Sequence, residues 1–230
     1  MKKKILREII RKKFDKSEFS LITNLKSGES CIYEKNKLLK KSFRKYVKKI
    51  NLKINNNESG IINNTDIFVE IYNRPTKVII VGAVHIAEYL LNFIKHFNFE
   101  TIVIDPRKSF SSKRVFSNIK VINQWPDKAF SKIETDKNTA LISLSHDPKI
   151  DDPAIKYALN KNFFYIGALG SKKTHLNRCL RLKKNKFTNK KISKIYSPIG
   201  IKLGGKSAQE IALSITAQLI SETNNNILTL

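Results

Sequence analysis

The sequence predicts an α/β protein: a doubly wound parallel sheet filling most of the chain, preceded by a small α+β N-terminal region. Three observations predict it. Short apolar runs recur from Thr76 onward, among them Lys77-Val-Ile-Ile-Val81, Thr101-Ile-Val-Ile104 and Thr139-Ala-Leu-Ile-Ser-Leu144. Each is too short for a helix and suits a strand covered on both faces of a parallel sheet. Helical patterns fall between these runs, as in His85-Ile-Ala-Glu-Tyr-Leu-Leu-Asn-Phe-Ile-Lys95, and that alternation marks doubly wound folds. Finally, Gly82 follows the first run directly, where such folds turn from strand to helix around a ligand.

The N-terminal elements come first in the chain. Ile5, Leu6, Ile9, Ile10 and Phe14 recur at helical spacing, so residues 3–15 are expected to form an amphipathic helix with a basic outer face, packed on the N-terminal region. Residues 19–25 and 31–33 read as short strands around the turn Lys26-Ser-Gly28-Glu29. Residues 38–53 are rich in lysine and helical or mixed, and residues 66–72 are a strand. The dipeptide Arg74-Pro75 disfavours continuing structure and marks a domain boundary. The expected division is therefore 1–74, then 75–222, then a tail at 223–230.

Within the larger region, further strands are expected at 120–122 and 163–166. Asp152-Pro153 reads as an N-cap with proline at the first helical position, and Ser207-Ala-Gln-Glu210 as a capping box opening a helix over 211–220.

Composition narrows the function classes. With 41% hydrophobic and 27% charged residues the balance is globular. The net charge of +25 favours polyanion partners. Its lysines, however, are spread along the whole chain among Asn and Ile, with no nucleic-acid-binding motif beside them, so a specific nucleic-acid site is not expected. The two cysteines, Cys31 and Cys179, form neither a disulfide framework nor a metal-ligand pair, which fits a reducing compartment. The basic start lacks an apolar signal core, and no apolar run approaches the ~20 residues of a membrane helix. The expectation is a soluble cytoplasmic protein without membrane partners.

Ligands of such sheets bind beyond the carboxyl ends of the strands, and four stretches reach that edge. Gly82-Ala83-Val84-His85-Ile86-Ala87 has the layout of the dinucleotide fingerprint of Rossmann folds. Val84 stands where a second glycine would admit pyrophosphate, and is expected to crowd it. Asp105, at the end of the second run, holds the place of a ribose-binding acid, and Arg107 could favour an extra phosphate. Ser145-His146-Asp147-Pro148 offers either a proton-carrying His–Asp pair or a turn capped by Asp147. Nothing there resembles a nucleophile elbow, which argues against a Ser-His-Asp triad. Gly167-Ala-Leu-Gly170-Ser171-Lys172-Lys173 reads as an anion site at a helix start, in preference to a tight strand-to-helix turn with solvated lysines. His175 and Cys179 share a face of that helix, too few ligands for a metal; Cys179 reads as a small buried hydrophobe. Pro198-Ile-Gly200-Ile-Lys-Leu-Gly204-Gly205-Lys206 reads either as a loop that closes over the crevice before the last helix or as an ordinary connecting loop.

Taken as a set, Ile79-Ile-Val-Gly-Ala-Val-His-Ile-Ala87, Val103-Ile-Asp-Pro-Arg107, Ser145-His-Asp-Pro-Lys-Ile-Asp-Asp-Pro-Ala154, Tyr165-Ile-Gly-Ala-Leu-Gly-Ser-Lys-Lys-Thr-His175 and Pro198-Ile-Gly200 closely resemble the xanthine dehydrogenase accessory (XdhC/CoxI-type) family. The resemblance spans residues 77–221 and implies a Rossmann domain. It also implies a maturation factor that binds molybdenum cofactor, supports its sulfuration and hands it to a molybdenum hydroxylase of the xanthine or carbon monoxide dehydrogenase type. On that basis the cofactor contacts are expected at Gly82, Ala83, His85, Asp105, Arg107, His146, Asp147, Gly167, Gly170, Ser171, Lys172 and Lys173, with no catalytic or metal-ligating residue. NAD(P) or FAD is the alternative ligand, with an NAD(P)-binding oxidoreductase as the alternative function. Longer family members carry a Ser-Gly-Gly-Cys domain that this chain lacks, and Cys31 has no flanking glycines, so no cofactor-thiol role is carried onto it. The resemblance thus implies a short or split form, working beside a sulfur donor and a second protein that supplies the missing half.

Overall fold

The structure, a computed structural model, describes residues 3–35, 37–108, 117 and 119–229. The chain divides into two compact units, residues 1–75 with 227–230, and residues 76–226.

The first unit is a four-stranded antiparallel sheet in the order β2-β1-β4-β3. Its strands are β1 (Phe19–Asn24), β2 (Ser30–Tyr33), β3 (Gly60–Ile61) and β4 (Ile67–Tyr72). Helix α1 (Lys3–Phe14) forms as its spacing predicts. Ile9, with Ile5 beside it, packs on Phe19 and Leu21. The lysine-rich stretch resolves into a 3-10 segment (Lys41–Tyr46) running into helix α2 (Val47–Asn55). Phe43 and Ile50 from these two join Ile22, Ile67 and Val69 of the sheet in one core.

The second unit is a six-stranded, wholly parallel sheet. Its strands are β5 (Thr76–Val81), β6 (Phe99–Ile104), β7 (Lys120–Ile122), β8 (Thr139–Ser143), β9 (Tyr165–Ala168) and β10 (Ile195–Tyr196). They lie in the order β10-β9-β8-β5-β6-β7, the Rossmann order, whose switch point falls between β5 and β8. Helices α3 (His85–Ile94), α4 (Pro126–Phe130), α5 (Pro148–Lys161), α6 (Lys172–Lys184), α7 (Asn189–Ile192) and α8 (Ala208–Thr229) connect and cover the strands. Successive residues of β5 explain its unbroken apolar run. Val78 and Ile80 pack with Leu90, Leu91 and Ile94 of α3 and with Ala212, Ile215 and Leu219 of α8. Ile79 and Val81 pack on the other face with Ile150, Ala154, Ile155 and Ala158 of α5. All four are removed from solvent, and each buried aliphatic side chain of this size contributes about 1.5–3 kcal/mol.

Three boundaries differ from expectation. Helix α5 starts at Pro148, with Asp147 as N-cap accepting the Lys149 amide hydrogen; Asp152 and Pro153 lie inside it. Both Asp-Pro pairs carry the capping signal, and the earlier one takes the cap. Strand β9 begins two residues later than the aromatic run predicts, because left-handed Asn162 ends α5 and the Phe163 amide still closes on Ala158. The capping box of α8 forms as expected, Ser207 and Glu210 bonding reciprocally, but the helix continues to Thr229 through the segment expected to be a tail.

Candidate functional site at the carboxyl edge of the parallel sheet

The loops after β5, β6, β8 and β9 meet at this edge, where the strand order reverses. Gly82, at φ 107°, is fixed by close approach: a Cβ there would lie 2.7 Å from the Ser145 amide nitrogen and 2.8 Å from Ser145 Cα. The turn after β5 is therefore pressed against the turn after β8. Ala83 is buried, and its amide donates to Asp105 Oδ2 at 2.8 Å. Arg107 donates to Asp105 Oδ1 from its backbone N and Nε, both at 2.9 Å, and to Oδ2 from Nη2 at 2.8 Å. A carboxylate accepts about four hydrogen bonds, so Asp105 is saturated within the protein. Burial alone would raise its carboxyl, but the Arg107 fork and the two amides hold it below the usual range. Asp105 thus braces the Gly82–Ala83 turn, and its buried oxygens are not presented to a ribose or pterin as the sequence reading anticipated.

Val84 is the N-cap of α3 without a side-chain cap bond. Part of its side chain packs on the core beneath α3, so the crowding expected of it is partly relieved. The first amides of the helix have no side-chain cap. His85 is exposed at the first helical position, 3.8 Å from Glu88 and edge-on to Tyr89.

After β8, His146 is exposed and held at φ 62°, a left-handed conformation that costs a non-glycine residue about 1 kcal/mol. Its neighbours sustain it. Ser145 Oγ accepts the Asp147 amide hydrogen at 3.1 Å and donates to Asp151 Oδ1 at 2.6 Å. Asp147 is engaged as the α5 cap, so this stretch is a braced turn that presents the His146 ring. Asp151, unforeseen from sequence, is buried, and burial raises its carboxyl above the ordinary range, offset in part by the Ser145 hydroxyl.

After β9 the structure places the residues of the expected anion turn differently in one respect. Gly167 belongs to the strand: it is buried, and a Cβ there would strike Ile199 and the Tyr165 hydroxyl. Its glycine serves packing. The turn itself is Leu169-Gly170-Ser171, with Ser171 as N-cap accepting the Thr174 amide hydrogen at 3.2 Å. Lys172 and Lys173 stand exposed in the first turn of α6, which contains no acid. Cations at a helix N-terminus oppose its dipole, and an anion reverses that penalty. One face of α6 carries His175, Arg178, Cys179 and Leu182. His175 Nε2 lies 3.5 Å from Cys179 Sγ, and Cys179 is half-buried against the core. Arg178 is 2% exposed. It occupies the inward stripe, four residues before buried Leu182, and that helical phase is the signal by which sequence reading could have found it.

In the first unit, burial pushes the Cys31 thiol up to about 11, against the lowering effect of Lys40. It is protonated near neutral pH. Among the described residues no His/Cys/Asp/Glu group could hold a metal ion, and no helix is long and apolar enough to cross a membrane.

The chain matches the family model described as the XdhC Rossmann domain over residues 78–219. It is 29% identical over 157 residues to a probable xanthine dehydrogenase subunit of Bacillus subtilis (strain 168), covering 68% of this chain and 46% of that protein. It is 34% identical over 101 residues to the molybdenum cofactor insertion chaperone PaoD of Escherichia coli (strain K12), covering 44% and 31%. The chain thus aligns with less than half the length of either relative. A crystal structure of a xanthine dehydrogenase from Bacillus halodurans superposes with a TM-score of 0.74 at 22% identity, over 96% of this chain and 64% of that one. That likeness establishes a shared fold.

Proposed function

The chain belongs to the XdhC family through its Rossmann domain, and from that premise we propose that it is an accessory factor that binds molybdenum cofactor, supports its sulfuration and helps insert it into a molybdenum hydroxylase. The observation that carries this reading is the first turn of α6, where Gly170, Ser171, Lys172 and Lys173 sit at a capped helix start without an acid. A pterin that ends in a phosphate fits such a donor set. The relative in Escherichia coli, a molybdenum cofactor insertion chaperone, supports it. Asp105 argues against the dinucleotide alternative, since its oxygens are engaged by Ala83 and Arg107.

On this reading Lys172, Lys173 and the Ser171 turn hold the phosphate. The Gly82–Ala83 turn lies at the switch point, with exposed His85 and His146 at its margins. When bound, the cofactor supplies its molybdenum chemistry to the client enzyme; the residues of this chain bind and orient it. The expected partners are the hydroxylase client, a sulfur donor and a second protein that works beside this chain. A cytoplasmic setting follows from the same reading. The high positive charge would speed encounter with an acidic client.

The test is a titration of the purified chain with molybdenum cofactor, NAD(P) and FAD in parallel. Retention of molybdenum cofactor, weakened about tenfold when Lys172 and Lys173 are both changed to Ala, is expected. Tight NAD(P) binding without cofactor retention would overturn the proposal.

A further inference from the structure

Four buried side-chain polar atoms among the described residues have no hydrogen-bond partner: Gln124 Oε1, Ser143 Oγ, His175 Nδ1 and Arg178 Nε. Two of these, His175 Nδ1 and Arg178 Nε, belong to one place. Ser143 ends β8, and its carbonyl accepts the Leu169 amide hydrogen at 2.9 Å. The Leu169 carbonyl accepts Arg178 Nη2 at 2.9 Å, and Ser197 Oγ accepts Nη1 at 3.2 Å. His175 lies one helical turn before Arg178, close enough that the Arg178 charge depresses the imidazole after burial has already done so. Leu169 leads through Gly170 into the Ser171 cap. Arg178 and His175 therefore lie beside the turn from β9 into α6, whereas the Ser143 hydroxyl is directed to the Asp151 carboxylate.

Their chemistry selects a ligand class. The guanidinium N–H of Arg178 can only donate, and the His175 imidazole donates from Nδ1 in one of its tautomers, so a partner rich in acceptors satisfies both. Arg178 adds charge. Arg181, one turn along α6, is closed onto Asp152 by a two-pronged ion pair. Arg178 forms no ion pair with a described residue, although it is the more deeply buried of the two. A guanidinium removed from water without a counter-ion is costly. Consistently, burial pulls it below its ordinary range, and Asp151 and Asp152 nearby offset only part. Its charge acts from a region of low effective dielectric beneath the helix start, where it is little screened.

We propose that the β9–α6 turn is a phosphate-type oxyanion site whose buried anchor is Arg178, with His175 as a neutral donor beside it and Lys172 and Lys173 as its exposed rim. This deepens the cofactor reading, on which it rests for the identity of the ligand but not for the anion chemistry.

The experiment is thermal denaturation of the full chain in inorganic phosphate against chloride at equal ionic strength. Phosphate is expected to raise Tm saturably. Arg178→Gln should weaken phosphate affinity about tenfold or more, and Arg178→Lys should restore part of it. Equal midpoints in phosphate and chloride for the wild-type chain would overturn the proposal, as would a folded Arg178→Gln variant with wild-type phosphate affinity. Where Arg178→Gln does not fold, His175→Ala is measured instead; unchanged affinity would be as damaging, and weaker affinity is expected. Phosphate binding without retention of molybdenum cofactor keeps the site and removes the cofactor reading, whereas cofactor retention indifferent to Arg178→Gln removes the site and keeps the reading.

Discussion

Asp105 and Asp151 are both removed from solvent near the same sheet edge, yet their surroundings push their titrations in opposite directions. For Asp105 the Arg107 fork and the two amides outweigh burial, and the folded-state pKa lies below the ordinary one. Its contribution is complete above the unfolded value near ~3.9 and fades as pH falls from there through the lowered value. Asp151 behaves in reverse. Burial raises its pKa in the folded state, so the fold binds the proton more tightly, and stability declines as pH rises from ~3.9 through the raised value. Urea denaturation between roughly pH 3 and 8 separates the two. Asp105→Asn should lose about 2 kcal/mol at neutral pH, since the Arg107 fork and a buried amide lose their charged acceptor, and the deficit should shrink toward the acid end. Asp151→Asn keeps an acceptor for the Ser145 hydroxyl and removes a buried charge, so it should be neutral or stabilising at pH 7 and lose the wild-type decline. A variant no less stable than wild type for Asp105, or a marked neutral-pH loss for Asp151, would contradict these assignments.

Helix α6 has two ends of unlike electrostatic fit. Its first turn holds Lys172 and Lys173 and no acid, whereas arginine and lysine in its last turn suit the dipole. Replacing Lys172 and Lys173 with Ala should therefore raise the melting temperature of the ligand-free chain by about 1–3 °C while weakening anion binding. A lower melting temperature in the double variant would show that the lysines are structural. The same helix shows how far sequence reading reaches. Its start was legible because Gly, Ser and Lys converge after an apolar run, and the parallel sheet because β5, β6 and β8 are apolar on both faces. Strands of two residues such as β3 and β10 carry no period and left no signal. Gly167 looked like a turn glycine, since a need for space beside Ile199 and a need for unusual φ look alike in sequence. Asp105 was placed at the correct strand end, but nothing local announced that Arg107, two residues on, would occupy it. Arg178 was lost among the lysines and arginines of α6, because composition hides what helical phase reveals.

Across the whole molecule, 44 Lys and Arg against 19 Asp and Glu leave a net charge of +25. Such an excess acts on stability and on encounter with opposite sign under one variable, ionic strength. Within the chain, like charges repel and oppose the compact state. The exposed pairs that salt would weaken, such as Lys37–Glu34 and Lys40–Glu29, stabilise little, so screening of the repulsion dominates. Between chains, the same field draws in an acidic partner, and salt removes that attraction beyond a Debye length of about 8–10 Å. Raising sodium chloride from roughly 20 to 300 mM should therefore increase the melting temperature of the isolated chain and, over the same range, slow its association with the hydroxylase client proposed above, if that client is acidic, by about tenfold or more. Differential scanning fluorimetry and surface-immobilised binding kinetics read the two effects separately. The dissociation rate should change much less than the association rate, because steering by a diffuse field acts before contact. A salt effect confined to dissociation would mean that close ion pairs, rather than the diffuse charge of the chain, hold the complex together.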